Sequence, residues 1–332
     1  MIISRTPFRI SFFGGGTDYP AWSCENGGAV LATTIDKYCY ISCRYLPPFF
    51  EHKYRVVYSK IENAKEISQI EHPAARAVLQ WLKCDRGLEI HHDGDLPARS
   101  GLGSSSSFTV GLISAIMALD GRYISKTELA DGAIHIEQNV LKENVGSQDQ
   151  VSVAHGGFNY IEFKRDGTND VRPLVLRRSV LEVLEGSLML FFTGISRFSS
   201  EIAKTQIENI KRREMELRRM REMVGEAISI LNGGENGLDH FGRLLDEAWQ
   251  CKKALSDKVS NSIIDQIYEE AVTGGALGGK ILGAGGGGFI LFYVKAKHQA
   301  KVKDRLKGLI HVPFHFENSG SRIVLYQPNG LI

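Results

Sequence analysis

The alternation of apolar and polar residues divides the chain into strand-like and helix-like segments. Clusters of β-branched and aromatic residues predict strands at residues 28–46, 88–96, 187–194, 289–294 and 323–326. Apolar residues at three- and four-residue spacing predict helices at residues 108–119, 125–144, 200–231 and 297–307. The second of these helices opens with SKTE, a capping-box signature at Ser125–Glu128. Strands and helices therefore do not alternate strictly along the chain, as they would in a fold built on a parallel sheet.

This pattern predicts an α+β fold with two domains, residues 1–184 and 185–332. The boundary is placed near residue 185 because the arrangement of strand-like and helix-like segments changes there. A length of 332 residues accommodates two domains of roughly 150 residues each. We find no internal repeat, and no apolar run reaches the roughly 20 residues of a membrane-spanning helix.

Composition narrows the function classes. A net charge of +2 does not favour binding to nucleic acid or to an anionic membrane, and the five cysteines form no metal-site or disulfide spacing. The N-terminus lacks the features of a signal peptide, so we expect a cytoplasmic protein. The basic run KRREMELRRMRE (211–222) interleaves with glutamates, which favours a solvated helix face with ion pairs.

The stretch LPARSGLGSSSSF (96–108) places glycines and four serines directly before a predicted helix. A glycine-rich loop at a helix N-terminus offers unpaired N–H groups and the positive end of the helix dipole, which together bind phosphate. The spacing excludes a Walker A loop and a dinucleotide fingerprint. A polar surface loop with serine caps explains the same residues, so this stretch alone leaves both interpretations open.

A second glycine-rich stretch, GAGGGG (283–288), matches the spacing of a dinucleotide-binding motif. In a Rossmann unit a strand precedes that motif and a helix follows it. Here the predicted strand 289–294 follows it, so the context disfavours a dehydrogenase-type site, and a nicotinamide-binding test would decide the matter. A loop that lines a site is the preferred interpretation, with a plain turn between strands as the alternative.

The segment RTPFRISFFGGGTDY (5–19) carries Arg9 on a predicted strand that runs into three glycines, Thr17 and Asp18. Glycines allow a ligand or another backbone to approach closely. An aspartate just beyond such a strand is well placed to accept hydrogen bonds from hydroxyl groups. A turn cap is an equally good local explanation of Asp18.

Two further acids stand out. Glu137 lies on the apolar stripe of its predicted helix, and a buried carboxylate needs a partner, either a basic residue or a metal ion such as Mg²⁺. Asp149 follows a glycine break twelve residues later. Local chemistry does not separate a catalytic aspartate from a turn aspartate at that position.

Taken together, these segments resemble the GHMP kinase superfamily, which includes galactokinase, homoserine kinase, mevalonate kinase and phosphomevalonate kinase. TPFRISFFGGGTDY resembles its first motif, PARSGLGSSSSF its second and GALGGKILGAGGGGF its third, in the right order. The resemblance implies an N-terminal domain like the second domain of ribosomal protein S5, a ferredoxin-like C-terminal domain, and an active site in the cleft between them.

The resemblance also implies roles for individual residues. Asp149 matches the catalytic aspartate, and Arg9 matches the basic residue beside it. Glu137 matches a Mg²⁺ ligand, together with Ser105. The loop that matches the ATP phosphate cradle consists of Ser100, Gly101, Leu102, Gly103, Ser104, Ser105 and Ser106. The substrate-binding positions are Gly15, Gly16, Thr17, Asp18, Gly285 and Gly286, with Gly283–Gly287 also steadying the phosphate loop.

Within the superfamily, LPPFFEHKYRVVYSK (46–60), FFTGISRFS (191–199) and the GGGTD turn resemble the sugar 1-kinases that act on D-glycero-D-manno-heptose 7-phosphate. This resemblance implies transfer of the ATP γ-phosphoryl group, with Mg²⁺, to the anomeric hydroxyl, which would give the 1,7-bisphosphate for nucleotide-activated heptose and surface polysaccharide. Expected partners are ATP and a sugar phosphate, with a homodimer left open.

Alternatives remain open from sequence: a related kinase for hexoses, uronic acids or phosphomevalonate, or a sugar sensor without catalysis. The basic residues that would hold a substrate 7-phosphate are not singled out by the pattern. The candidates in or near the branch-typical stretches are His52, Lys53, Arg55, Arg197 and Lys280.

Overall fold

The computed structural model describes residues 1–98, 100–195 and 199–328. In that part of the chain the strands are β1 (Ile2–Phe13), β2 (Gly28–Tyr45), β3 (Tyr54–Val57), β4 (Ile61–Ala64), β5 (Leu88–Gly94), β6 (Asn159–Phe163), β7 (Asn169–Pro173), β8 (Leu188–Phe192), β9 (Ala276–Ile281), β10 (Phe289–Val294), β11 (Ile310–Val312), β12 (Phe316–Glu317) and β13 (Arg322–Tyr326). The helices are α1 (Pro20–Asn26), α2 (Pro73–Trp81), α3 (Ser104–Leu119), α4 (Lys126–Ile134), α5 (Gln148–His155), α6 (Arg178–Gly186), α7 (Ser199–Asn209), α8 (Glu214–Gly233), α9 (Leu238–Leu255), α10 (Ser262–Gly274) and α11 (Ala296–Arg305).

The first sheet is built on the long antiparallel pair of β1 and β2, which runs from Ile2 opposite Cys43 to Phe13 opposite Leu31. Its main strand order is β13-β1-β2-β5-β3-β4, with β6 and β7 attached along β2. Only the β3–β5 pairing is parallel among the described pairs. The glycine-rich turn and Asp18 follow the end of β1, so this sheet sets one wall of the site.

Helix α3 lies against this sheet and is apolar around nearly its whole circumference. Thirteen of its sixteen residues are buried, as expected for a helix enclosed on all sides. Helices α4 and α5 pack beside it, and α3 also contacts β1 and β2. The phosphate-loop candidate at the start of α3 is therefore anchored on a rigid, buried element.

The second sheet has the order β11-β8-β10-β9 and packs against helices α9, α10 and α11. Its strands pair antiparallel, with Phe289 of β10 opposite Phe192 of β8. Strands β9 and β10 are consecutive, and residues 282–288 join them. The stretch GAGGGG is thus a turn between two strands, as its sequence context predicts.

The end of the chain returns to the first sheet. Strand β13 pairs antiparallel with β1, with Ile2 opposite Tyr326, and β12 pairs with β2. The sheet that begins at residue 2 is consequently completed by strands that lie far beyond the predicted boundary at residue 185.

The α+β class and the predicted strands are confirmed, and two helix predictions need correction. The helix predicted to run to about Asn144 is α4, which continues as a π-helical turn at His135–Val140 and ends there. The region predicted as one long helix is divided into α7 and α8 by a 3₁₀ turn at Ile210–Arg212. None of the described helices combines the length and apolar character needed to cross a membrane.

The interpretation of the basic run as a solvated face is confirmed. Arg218 pairs with Glu214 at 2.5 Å, one helical turn away. Arg219 pairs with Glu222, Glu226 and Glu247. The basic residues of α8 are therefore used within the protein.

Candidate active site

Residues 100–103 form a tight loop that leads into α3. Its backbone is held from two sides: Arg9 N donates to Leu102 O at 3.0 Å, and Phe289 N donates to Ser100 O at 3.0 Å. Gly103 adopts φ 77°, a left-handed conformation that favours glycine, immediately before the first residue of the helix. The loop thus leads directly into a helix N-terminus, and a helix N-terminus behind a glycine-rich loop is an arrangement that binds phosphate.

The loop at residues 100–103, called the phosphate loop after the role that its sequence predicts, touches the second glycine-rich turn backbone to backbone. A Cβ atom added to Gly101 would lie 2.5 Å from Leu282 O, and one added to Gly283 would lie 2.6 Å from Gly101 Cα. Either contact would be prohibitive for a side chain. The glycines at these two positions therefore allow segments from the two sheets to meet.

Arg9 and Asp149 form a two-point ion pair. Arg9 Nε donates to Asp149 Oδ1 at 2.8 Å and Nη2 donates to Oδ2 at 2.9 Å. The remaining Arg9 nitrogen, Nη1, donates to Gly101 O at 2.6 Å. The Arg9 side chain is only 2% exposed, whereas that of Asp149 is 28% exposed. Arg9 thus links the acid to the phosphate loop and leaves the acid open to a reactant.

Asp18 is buried and fully engaged with neighbouring backbone and side chain. Its carboxylate accepts hydrogen bonds from Gly16 N at 3.0 Å, from Gln148 N at 3.2 Å and from Gln148 Nε2 at 3.0 Å. Burial raises the pKa of Asp18, and the nearby Asp149 adds to that rise. Asp18 therefore fastens the glycine turn after β1 to the start of α5, where Asp149 lies.

The other predicted substrate-binding residues of the GGGTD turn have different surroundings. Thr17 is buried, and its hydroxyl donates to Gly14 O at 2.8 Å and to Ala29 O at 3.1 Å. Thr17 thus stabilises the turn. A Cβ atom added to Gly15 would lie 3.6 Å from the Gln148 amide nitrogen at the start of α5, whereas one added to Gly16 would face Leu217 and Leu255.

Glu137 is 1% exposed and lies in the π-helical turn that follows α4. Its Oε2 accepts hydrogen bonds from Ser106 Oγ at 2.9 Å and from Gln150 Nε2. No partner of its Oε1 is found in the described part of the chain. Burial raises the pKa of Glu137 to about 7. The expected burial of this carboxylate is confirmed, and its contacts are neutral donors.

The serines at the start of α3 occupy different sides of the helix. Ser106 is buried and faces Glu137, whereas Ser105, the residue predicted to share a metal ion with Glu137, is exposed. The structure therefore brings Ser106, and not Ser105, into contact with the acid. Ser104 precedes both in the first turn of α3.

Glycines 285–288 are held by surrounding backbone. Gly286 N donates to Val259 O at 2.8 Å, and Gly288 N donates to Ile195 O at 2.8 Å. A Cβ atom on Gly285 would lie 2.8 Å from Val259 O. Gly285 and Gly286 thus pack on the segment after α9, while Gly283, at the other end of the turn, meets the phosphate loop.

Models of known protein families match two segments of this chain. The models of the GHMP kinases N terminal domain and the GHMP kinases C terminal match residues 67–157 and 222–310, together more than half of the chain. The chain belongs to the GHMP kinases. A relative from Campylobacter jejuni, named D-glycero-alpha-D-manno-heptose 7-phosphate kinase, is 30% identical over 88% of this chain and 89% of its own.

Solved structures of other proteins have the same fold as this GHMP kinase. A structure named as a D-glycero-D-manno-heptose 1-phosphate kinase from Bacteroides thetaiotaomicron has a TM-score of 0.79 and 25% identity, and covers 98% of this chain and 100% of its own. Galactokinase from Lactococcus lactis has a TM-score of 0.72 at 20% identity, with coverage of 97% and 94%, and shows the fold alone. The predicted two-domain GHMP kinase fold is confirmed.

Membership makes this GHMP kinase a phosphotransferase with an alcohol group as acceptor, and kinases of this family use ATP as the phosphate donor. The loop at 100–106 and the Arg9–Asp149 pair are the parts of the chain suited to that reaction. A polar backbone cradle binds phosphate, and an accessible carboxylate accepts a proton from an alcohol.

The residues around Glu137 fit a magnesium ion. Mg²⁺ prefers hard oxygen ligands and is held in kinases by one or two protein ligands plus phosphate oxygens. Glu137 Oε1 is a buried oxygen for which the described residues offer no hydrogen-bond partner, and the hydroxyl of Ser106 lies beside the same carboxylate. Glu137 and the first turn of α3 would hold the ion next to the phosphate loop.

Among the described residues, the basic side chains considered for a substrate phosphate do not gather at this site. Arg55 pairs with Glu89 at 3.8 Å, and the strand register places it level with Met1, the residue before β1. About eight residues, roughly 25 Å of strand, separate that level from Arg9, and His52 and Lys53 precede β3 at the same end of the sheet. Lys280 is buried and donates to Phe12 O at 2.8 Å. Arg197 lies outside the described residues.

Three residues of the site were missed from sequence. Gln148 and Gln150 flank Asp149 and donate to Asp18 and Glu137 respectively, so they align the two other acids with α5. Lys252 of α9 donates to Gly283 O under the second glycine turn. Glutamines beside the candidate catalytic aspartate were visible in GSQDQ, whereas nothing in the sequence around Lys252 indicates its contact.

Proposed function

We propose that this GHMP kinase transfers the γ-phosphoryl group of ATP to the C1 hydroxyl of D-glycero-D-manno-heptose 7-phosphate, giving the 1,7-bisphosphate. The observation that carries phosphoryl transfer is the contact of Arg9 with both Asp149 and Gly101 O, which couples an acid to the phosphate loop. The choice of sugar is supported by the Campylobacter relative and the Bacteroides structure, whose names share the heptose and differ in the phosphate position.

The reaction forms a bond between the C1 oxygen and the γ-phosphorus, and breaks the bond from that phosphorus to the β–γ bridging oxygen. Asp149 accepts the hydroxyl proton as the new bond forms, and ADP leaves. General-base assistance of this kind is typically worth about 10²–10⁴-fold in rate. Asp149 has the exposure to reach the acceptor, since the Arg9 side chain occupies its buried side.

Arg9 and the phosphate loop supply positioning and electrostatic stabilisation. Phosphoryl transfer depends mostly on these two effects, because charge spreads over the transferring oxygens. The Arg9 guanidinium lies between Asp149 and Gly101, where that charge would develop. When bound at Glu137, Mg²⁺ would neutralise charge on the nucleotide phosphates.

The proposal is tested by a panel of acceptors in an assay that measures ADP release. We expect kcat/KM for the heptose 7-phosphate to exceed that for galactose, L-fucose, glucuronate and phosphomevalonate by at least about a hundredfold. Phosphorus NMR of the product should show a new phosphate on the anomeric carbon. A higher kcat/KM with another acceptor would assign that substrate instead, and ATP binding without any turnover would favour a sensor. In cells the bisphosphate would supply nucleotide-activated heptose.

A further inference from the structure

A buried lysine lies beneath the glycine turn that meets the phosphate loop. Lys252 of α9 is 6% exposed, and its Nζ donates to Ile281 O at 2.8 Å and to Gly283 O. It forms no ion pair with an acid in the described part of the chain. Lysine is rarely buried without a counter-charge, because removing an ammonium from water is costly.

The charges around Lys252 are mostly of the same sign. Lys280 is also buried and, like Lys252, donates to a backbone carbonyl, that of Phe12. Burial lowers the pKa of Lys252. The positive charges of Lys280 and Arg9 lower this pKa further, whereas the negative charge of Asp149 raises it. A methionine would fill this space at no electrostatic cost. The contacts of Lys252 must therefore explain why a lysine occupies this position.

Those contacts lead in one step to the phosphate loop. Gly283, whose carbonyl Lys252 holds, has its backbone directly against Gly101. Gly101 O in turn accepts a hydrogen bond from Arg9 at 2.6 Å. The other described tethers of this turn are backbone or later contacts: Leu282 N donates to Phe289 O at 2.9 Å and closes the base of the turn, Gln206 Nε2 donates to Ala284 O at 2.7 Å, and Gly286 N donates to Val259 O. Among the described side chains, Lys252 is the one that holds Gly283, the residue against the loop.

We propose that Lys252 is a positioning residue for the nucleotide phosphates: it holds Ile281 and Gly283 so that the glycine turn keeps the loop at 100–103 in its phosphate-binding form. This inference rests on the proposed binding of ATP phosphates by that loop. Because Lys252 acts through the loop and not on the base, its effect falls on ligands that carry phosphates.

The test compares two ligands on matched variants. Lys252→Met removes the ammonium and retains the length of the side chain, while Lys253→Met changes the neighbouring lysine, whose side chain is 33% exposed and pairs with Asp265. Calorimetry with a non-hydrolysable ATP analogue and with adenosine is carried out on the whole enzyme. We expect Lys252→Met to weaken the analogue about tenfold or more and to leave adenosine within about twofold. Lys253→Met should match the wild type for both ligands.

A second variant separates the contact from the lysine itself. Gly283→Ala pushes the same two backbones apart, since its Cβ would lie 2.6 Å from Gly101 Cα. It should reproduce the loss for the analogue with adenosine retained, and it remains informative if Lys252→Met does not fold. Equal affinities in all variants, or parallel losses for both ligands, would overturn the inference. If the wild type itself failed to bind the analogue, the proposed function would fail instead.

Discussion

The hydroxyl of Ser106 donates to the carboxylate of Glu137 at 2.9 Å and ties the first turn of α3 to the π-helical turn at 135–140. π-helical turns are rare and occur frequently at functional sites. Here the turn places a buried acid beside a helix N-terminus with only neutral donors around it. An acid in that state responds to pH and to a bound cation.

The pKa of Glu137, raised by burial from 4.5 to about 7, predicts a pH-dependent stability. The folded state holds the proton more tightly than the unfolded state, so this contribution is fully present below about pH 4.5 and is lost as the pH rises to about 7. In the absence of divalent cations, the wild type should lose on the order of 3 kcal/mol over this range relative to Glu137→Gln. Denaturant unfolding of both proteins at several pH values measures the difference.

Added Mg²⁺ and nucleotide should reverse this trend, because a metal ion binds the ionised carboxylate. Their stabilising effect on the wild type should increase as the pH rises through about 7, while that on Glu137→Gln should show no such step. Identical pH profiles for the two proteins would show that Glu137 does not bind the metal ion.

Asp149→Asn is expected to lower kcat by about 10²–10⁴-fold with little change in nucleotide affinity. The amide keeps a hydrogen bond to Arg9 but does not accept the proton of the acceptor hydroxyl. Single-turnover kinetics and binding of an ATP analogue give the two quantities. Asp170→Asn, on the partly exposed strand β7, is the control and should behave as wild type. A kcat near normal in Asp149→Asn would exclude this residue as the base.

Gly146→Ala should disturb the acceptor side of the site specifically. The added Cβ would lie 1.8 Å from Asp18 Oδ2, so the hydrogen bonds between Asp18 and Gln148 at the start of α5 would have to break. Misplacement of a reacting group by about 1 Å costs on the order of 10²-fold in rate. We therefore expect a lower kcat and a higher KM for the sugar, with the affinity for the ATP analogue within about threefold.

The matched control is Gly225→Ala in the exposed face of α8, where no atom lies within 4 Å of the added Cβ. It should leave both kinetic constants unchanged and raise stability by up to about 1 kcal/mol, since alanine favours a helix interior. Unchanged kinetics in Gly146→Ala would show that the Asp18–Gln148 contact does not position Asp149.

Arg55→Met should not affect recognition of a substrate 7-phosphate. Arg55 lies beside Glu89, at the end of the first sheet that is remote from Arg9. We therefore expect the ratio of KM values for the heptose 7-phosphate and the unphosphorylated heptose to equal that of the wild type. A ratio that changed by about tenfold, as loss of one charged hydrogen bond would cause, would assign the phosphate to this end of the sheet.

Residue patterns predicted strands β2, β5, β8, β10 and β13 and the burial of Glu137, because these depend on the local periodicity of apolar side chains. The three glycine-rich motifs also predicted which segments meet. Gly101 and Gly283 are in backbone contact although 182 positions separate them in the numbering, and only a resemblance among whole motifs could pair them.

Details that depend on helix phase or on distant partners were not predictable. A shift of one residue rotates a helical side chain by about 100°, so the start of α3 at Ser104 decides that Ser106 faces Glu137 and Ser105 faces away. Likewise, the positions of Lys252 and Lys280 follow from packing of the second sheet against the first. Nothing adjacent in sequence distinguishes the buried Lys252 from the partly exposed Lys253.

The pairing of β13 with β1 has a consequence for synthesis of the enzyme. Strand β1 is synthesised long before its edge partner β13, so β1 and the Arg9 that it carries have one edge uncovered until residues 322–326 have emerged from the ribosome. Premature termination a dozen residues before Tyr326 would therefore leave that strand exposed and prone to pair with other chains.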